Sequence, residues 1–553
     1  MLTVAGIRSI MRKTLVTALV LVVPLSFMWQ PVISAQEAAD LAELVETRDK
    51  VPRLKAAAVY VPQDDLITIE LSEYAGYSGL IVANGGLEPN DESYFTKKHG
   101  FRLEITLSEE ESWSKLNSGG MAGSATTVDV LAAYGGQFKV TVPALIGFSR
   151  GSTGIVVRKE INEINDLRGK VVPTAQFTET DFFIRYLAQE AGLGIQLLQE
   201  PPWKADANKL NLVFCDEGFA AGDIFARDVK KKLGRFAGCV TWDPKTKEVV
   251  EECKGEAIIL ATTANLLVVA DVLILNEGFA KANPKIVEGL VDGLLVGNDM
   301  VRRDPGKHAA VIQKAFGWEA GEAVEELKRV HLANLPENLS FFNGTIDSAG
   351  SFGYLFETAV ELYRSQLGAK PVAYESLASI DALTAAEASG AFKGQVAEIK
   401  PIRLAADLGE TSVRDQAASL LSKDVRIEFE PNSAEVMLNH EPNKQALESV
   451  AKLLKISPGS TILLRGHADS AKLDAFRARP DFEKAGGEAK LRAGRLNLKD
   501  LSKKRCLATK EMLIKQHGVA EPRISYEGVG VDSPTGRGPE SDRRVEVKWF
   551  TKE

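Results

Sequence analysis

Leu66-Ile67-Thr68-Ile69-Glu70-Leu71, followed closely by Glu73-Tyr74-Ala75-Gly76-Tyr77, opens a long alternation of strand and helix signals. Six residues rich in Leu and Ile, closed by a Gly-containing turn, are the pattern of a short buried strand. Similar runs recur at 101–107, 142–148, 154–157, 170–173, 212–215 and 257–271. Helix-length segments at 111–116, 181–191, 219–233, 284–303 and 321–332 separate or follow them. Strand–helix alternation predicts an α/β fold with a largely parallel sheet. About 310 residues of this kind exceed one comfortable core, so 63–372 is expected to form two lobes. Ligands of such folds lie outside the carboxyl ends of the strands. Residues 36–62 read as a polar helical lead-in.

Beyond an Ala-, Ser- and Glu-rich segment at 373–420, expected to be a partly helical linker, a second unit begins. Strands are expected at 425–429, 461–464, 524–528 and 545–549, with helices at 444–454 and 501–516 and Gly518 as a C-cap. This gives β-α-β-α-β-β over 421–553, a normal single-domain size. The two parts differ in charge: 421–553 carries 25 basic against 20 acidic side chains, while the whole chain is at −8. Opposite signs imply separate modules with different partners.

The overall composition, 45% apolar and 26% charged in 553 residues, excludes a disordered, collagen-like or polytopic membrane protein. Arg8, Arg12 and Lys13 precede an uncharged stretch at 14–36, and Ile33-Ser34-Ala35 resembles a small-residue cleavage site. Residues 1–35 are therefore expected to be a signal peptide or an N-terminal membrane anchor, with the rest exported to the periplasm or cell envelope. Cys239 and Cys253 flank an Asp243-Pro244 turn signal between β-branched residues. In a hairpin centred near Thr246 they would face each other and could oxidise to a disulfide. The six histidines show no metal-ligand spacing, so no metal or cofactor is expected. No Gly-x-Ser-x-Gly elbow or phosphate loop is present, which argues against an enzyme. No basic run interleaved with aromatics suggests nucleic acid.

The C-terminal unit carries Gly466-His467-Ala468-Asp469, Leu501-Ser502-Lys503-Lys504-Arg505, Gly528-Val529-Gly530 and Asp542-Arg543-Arg544-Val545-Glu546. In that order these motifs resemble the OmpA-like peptidoglycan-binding domain. The resemblance implies that Asp469 and Arg505 grip the diaminopimelate of the cell-wall stem peptide. The chemistry agrees, because a carboxylate suits the ammonium of that zwitterion and a guanidinium binds its carboxylate through two parallel hydrogen bonds. Ser502 is expected at a helix start, where free N–H groups favour an anion. The chain departs from the family in three places. Thirty-five residues separate Asp469 from Arg505, including a charged insertion at 471–497; Leu498 stands where an Asn is usual; and Asp542 replaces the Asn of Asn-Arg-Arg.

The larger unit resembles periplasmic ABC-type solute-binding proteins of the nitrate/sulfonate/taurine type. The resemblance rests on Glu73–Tyr77, Leu116-Asn117-Ser118-Gly119-Gly120, Ala125-Thr126-Thr127-Val128-Asp129 and Ile164-Asn165-Asp166-Leu167-Arg168-Gly169-Lys170. It implies a cleft that closes around a small anionic or zwitterionic solute. Tyr74, Gly76, Ser124, Thr126, Ser149, Thr178 and Asp216 are the expected ligand residues. Backbone N–H groups of 149–152 and Arg150 would cradle an oxyanion, while Asp216 or Glu217 would meet an ammonium. Together the two resemblances imply a solute receptor tethered to the wall near an ABC permease or membrane sensor. The other reading is an envelope-linking protein whose two-lobe module docks a protein instead of a solute.

Overall fold

A computed structural model of the chain describes residues 41–551 apart from 109–111, 200–202, 320, 345–350, 400–418, 431–432, 438 and 458. The export segment expected at 1–35 lies outside the described residues. Among these residues, no helix is long and apolar enough to cross a membrane.

The strands fall into three groups. A short β1 (Leu44–Val45) leads to β2 (Leu66–Leu71), β3 (Arg102–Leu107), β4 (Gly123–Thr127) and β5 (Val140–Ser149). The chain then crosses to β6 (Thr153–Arg158), β7 (Val171–Ala175), β8 (Gly194–Leu197), β9 (Lys209–Cys215), β10 (Gly238–Trp242) and β11 (Ala257–Thr262). It returns through β12 (Ala270–Asn276) and β13 (Val330–Leu332), and ends in β14 (Leu421–Val425), β15 (Thr461–His467), β16 (Ile524–Gly530) and β17 (Val545–Phe550).

The first lobe is a six-stranded sheet in the order β13-β5-β12-β4-β2-β3. Every residue of β12, and all of β5 but Thr141, is buried, because helices cover both faces. Helix Pro284–Arg303 packs on helix Ser78–Asn84 so closely that a Cβ on Gly297 would lie 1.9 Å from the Gly79 carbonyl oxygen. Only glycine permits that crossing. The second lobe holds two sheets, β1-β9-β7 with β8 also on β9, and β10-β6-β11. The sheets are mixed and not largely parallel as the alternation suggested. β2, β3 and β4 run parallel, as do β7, β8 and β9, but β12 is antiparallel to both β4 and β5, and β6 to both its neighbours. The reason is the double crossing, which sends β12 back against the strands that left the first lobe.

Three expected segments take other forms. The lead-in is not helical from residue 41 onward. It pairs β1 with β9 and then runs irregularly, its Thr47 hydroxyl donating to the Leu198 carbonyl and its Ala58 N–H to Asn117, so it touches both lobes. Pro52 and Pro62 disfavour a helix there. The range 257–271 is two strands with a turn between them, and 321–332 holds only a short helix, Glu322–Glu326, before β13. The expected linker starts late. Helix Asp381–Ser389 buries Ala382, Leu383 and Ala386 on one face, against the first-lobe core. Spacing of three and four residues makes that stripe.

The C-terminal unit is a four-stranded sheet in the order β14-β17-β15-β16, with only β15 and β16 parallel, covered by helices Glu441–Ile456 and Gly487–His517. β14 lies four residues before the expected strand. The charged insertion forms helix Ala471–Arg477 and lengthens the following helix at its start. This unit docks on the two-lobe module. Asn165 and Ser422 exchange two hydrogen bonds, Lys423 pairs with Glu190 at 2.7 Å, and the Leu267 N–H donates to the Ile456 carbonyl.

Candidate functional site

Two places gather functional side chains. The first is the seam between the lobes, beside the crossings at 149–153 and 262–270. Tyr74 and Tyr77 flank a single-turn helix after β2 and meet edge to face, ring centres 5.2 Å apart. The Tyr77 hydroxyl donates to Asp271 Oδ1 at 3.2 Å. Asp271 stands directly opposite Thr127 in the β12–β4 register, so both side chains share a face. Asp129 lies in the first turn of helix Val128–Tyr134, and Glu179 starts helix Glu179–Glu190 of the second lobe. Asp129 is 2% exposed and Asp271 3%. Both oxygens of Asp129, and the hydroxyls of Tyr74, Thr126 and Thr127, find no hydrogen-bond partner among the described residues.

The electrostatics follow from this placement. Burial and the charge of Glu179 push the Asp129 carboxyl up to about 8. Burial, with the charges of Glu179 and Asp129, raises Asp271 well above the usual carboxylate range. Glu179 is also raised by burial, although it accepts a hydrogen bond from Trp242 Nε1. Tyr74 and Tyr77 are pushed up by burial and by Asp271. Asp181, in contrast, is tied to Arg185 at 2.5 Å, and that guanidinium sits 5.0 Å over the Tyr363 ring. Such perturbed buried groups in a seam are what a binding site looks like.

The expected ligand residues divide. Tyr74 is in the seam with a free hydroxyl, and Thr126 has an unpartnered Oγ1 on the opposite face of β4 from Thr127. Gly76 is buried beneath the Tyr74 ring, where a Cβ would lie 2.3 Å from Cε1. Ser124 is spent, its hydroxyl donating to the Glu70 carbonyl at 2.7 Å. Thr178 donates to the Ala175 carbonyl and bonds Thr180. Asp216 is exposed past β9, and no hydrogen bond joins it to the seam.

The oxyanion cradle is not there. Ser149 Oγ bonds Ser152 and Thr263 at 2.6 and 2.7 Å, knotting the two crossings together. The N–H groups of Ser149, Arg150 and Gly151 go to Val269, Arg329 and Thr263, and Arg150 Nε donates to the Ala264 carbonyl. Turn chemistry consumed the donors. The seam's principal acids, Asp129, Glu179 and Asp271, escaped the sequence reading, as did Tyr77 and Thr127 as ligand groups. The available signal was a lone acid inside an apolar run, as in Val128-Asp129-Val130-Leu131 and Ala270-Asp271-Val272-Leu273.

The hairpin expected around Thr246 is replaced by β10 followed by helix Lys245–Glu252, with Cys253 at its C-cap. Lys-Thr-Lys-Glu-Val-Val-Glu-Glu has helical spacing that outweighed the turn signal. Cys239 and Cys253 are both free thiols, buried in one apolar cluster with Cys215.

The second place is the end of β15. Asp469 Oδ2 pairs with Arg543 Nε at 2.9 Å, and its Oδ1 accepts from the Ala471 N–H. Arg505 donates from Nε to the Ser433 carbonyl at 3.0 Å, and its guanidinium lies 4.9 Å over the Phe429 ring. Burial and the charge of Arg543 lower the Arg505 pKa while Asp469 opposes them, so the three groups share one neighbourhood. The glycines of the motifs have a steric reason. A Cβ on Gly466 would lie 2.3 Å from the Ser502 carbonyl oxygen, and on Gly528 2.4 Å from that of Lys499. Ser502 is not at a helix start, because helix Gly487–His517 begins fifteen residues earlier and leaves it no free N–H cluster. Its buried hydroxyl donates to the Lys499 carbonyl and accepts from the Gly530 N–H. His467 is structural, bonded to Glu546 at 3.0 Å.

No family model matches the chain, and no curated protein does. Solved structures resemble its first part. The periplasmic aliphatic sulphonate-binding protein of Escherichia coli is 14% identical, covers 57% of this chain and 97% of its own, and has a TM-score of 0.41. A putative periplasmic sulfonate-binding protein of Methylobacillus flagellatus is 15% identical over 60% of this chain and 97% of its own, with a TM-score of 0.43. The desulfurization enzyme DSZB is 15% identical over 59% and 99%, with a TM-score of 0.38. These are mostly binding proteins, with one enzyme among them. At such identities and scores they assign no ligand to this chain.

Proposed function

We propose that the chain is a non-enzymatic receptor of the cell envelope. Its two lobes enclose a small charged solute, and its C-terminal OmpA-like domain holds peptidoglycan, so that the receptor stays near an ABC permease or a membrane sensor. The observation that carries this reading is the set of buried, unpartnered polar groups that the first lobe, through Asp129, Thr127 and Tyr74, presents at a seam that two short crossings hinge. Buried polar groups are almost always paired in a finished interior, so an unpaired set between two lobes is a site awaiting a partner.

Tethering is supported by the convergence of Asp469, Arg505 and Arg543 at the end of β15. There a carboxylate and a guanidinium stand ready for the two charges of a diaminopimelate. Holding the receptor at the wall raises its local concentration near a membrane partner without any added contact. Two measurements test the proposal. A small solute should raise the unfolding midpoint of the full chain, by an amount set by its concentration relative to Kd. The full chain should also sediment with purified peptidoglycan. Sedimentation with no solute response across charged small molecules would leave the envelope-linking reading instead.

A further inference from the structure

The charges of the seam are unevenly met. The backbone N–H groups of 149–151 and the Nε of Arg150 are all engaged by protein oxygens. Arg185 is paired with Asp181 through Nε, while its buried Nη2 has no partner among the described residues. Among the described residues no cationic side chain pairs with Asp129 or Asp271: both oxygens of Asp129 lack a close hydrogen-bond partner, and Asp271 accepts from the Tyr77 hydroxyl with that of Tyr74 nearby. Thr127, 8% exposed and unpartnered, stands opposite Asp271.

Elsewhere the chain satisfies its buried acids. Glu337, fully buried, accepts from the N–H groups of Asn334, Glu398 and Ile399 and bonds His331. Asp292 is met by Tyr94, Lys98 and His99. Asp228 is met by Arg158 and the N–H groups of Arg235 and Phe236. Among the described residues, Asp129 and Asp271 stand out as fully buried carboxylates that no Lys, Arg or His side chain meets.

We propose that this seam takes a small organic cation, its ammonium or amidinium held between Asp129 and Asp271, with Glu179 closing from the second lobe and the Tyr74 and Tyr77 rings alongside. An ammonium brings the positive charge that Asp129 and Asp271 lack, and aromatic rings beside a cation add to its hold. A sulfonate or phosphate would set its negative charge beside acids that no cationic side chain meets. The inference rests on the receptor reading and names its ligand class. It differs from the anionic or zwitterionic solute expected from the sequence in making the positive charge the group that is held.

The test uses the full chain and two sets of probes. Putrescine, agmatine, spermidine and choline form one set; ethanesulfonate, taurine, nitrate and phosphate form the other. Unfolding midpoints and titration calorimetry are read at pH 6.5 and pH 8.5. At least one cation should bind, more tightly at pH 8.5, where a proton no longer competes for Asp129. Asp271→Asn and Asp129→Asn, near-isosteric changes, should each weaken it at least a hundredfold, while circular dichroism shows the fold retained. A response confined to the anion set overturns this inference and leaves the receptor. A cation response that both variants preserve also overturns it, because the site is then elsewhere. Silence from both sets overturns the receptor reading as well.

Discussion

The seam and the end of β15 both bring carboxylates together with aromatic rings, yet they are built in opposite ways. At the end of β15 the acids each have a cation within reach: Asp469 with Arg543, Glu527 with Arg465, and Glu546 with Arg465 and His467. Glu546 is accordingly held down to about 2 by His467 and Arg465 against its burial. In the seam the acids face one another, and Asp129 is driven up to about 8. A partly exposed cluster whose acids are already neutralised can meet a zwitterion without first acquiring a charge. A closed seam of like charges is complete only when something else supplies the positive charge. The two sites thus demand different partners, as the opposite charge balance of the two modules already suggested.

The largest expected effect breaks or confirms that contrast directly. Asp129 has a folded-state pKa of about 8, far above its ordinary 3.8. Its contribution to stability is therefore fully present below pH 3.8 and is lost as the pH rises through 8, because only the folded state keeps the proton. At about 1.4 kcal/mol per pH unit, the loss is on the order of 5 kcal/mol. The difference in unfolding free energy between the unliganded protein and Asp129→Asn should move by that amount between pH 4 and pH 8, the variant becoming relatively more stable. A flat difference would mean that the carboxyl is already solvated or paired.

Glu337 provides the reverse case within the same lobe. Its pKa is held down by His331 and the surrounding N–H groups despite burial. Glu337→Ala should cost about 3 kcal/mol or more, because it strands buried donors. Chemical denaturation at pH 7 reads this. A cost below about 1 kcal/mol would show that buried acids in this lobe need no partners, and the seam would lose its distinction.

At the end of β15, if it holds peptidoglycan as proposed, the expected effect is on binding. Asp469→Ala and Arg505→Ala should each reduce sedimentation of the full chain with purified peptidoglycan at least a hundredfold, about 2.7 kcal/mol. Arg505→Lys should restore little, because an ammonium cannot form the two parallel bonds. Retained sedimentation in both alanine variants would remove the tether.

The difference between the sites also explains what the sequence disclosed. The strands at 66–71 and 461–464, the helix at 284–303 and the β-α-β-α-β-β order were legible because period and turn residues are local properties. Asp469 and Arg505 were singled out by a linear motif, and the fold brings both close to Arg543. The seam was not, because Asp129, Glu179 and Asp271 come from three distant stretches, and each is an ordinary acid until burial makes it otherwise. Ser149 and Arg150 misled for the same reason: a Ser-Arg-Gly-Ser turn offers donors in sequence, and only the fold reveals that Thr263, Arg329 and Ala264 take them. The mixed sheets were hidden too, since strand direction depends on where the chain crosses, and the alternation of elements does not encode it.

Ser502 supplies the smallest effect and the sharpest division between holding a ligand and holding the fold. The motif placed it beside Arg505 as an anion-binding group, whereas the structure buries it inside helix Gly487–His517, bridging the Lys499 carbonyl and the Gly530 N–H. Ser502→Ala leaves that N–H unsatisfied where Gly530 approaches the helix, at a cost of about 1–2 kcal/mol. Peptidoglycan sedimentation should be unchanged at a temperature where the variant is folded, and the unfolding midpoint should fall. If sedimentation is lost with the midpoint intact, the hydroxyl touches the wall peptide, and the pocket extends under the helix beyond Asp469 and Arg505.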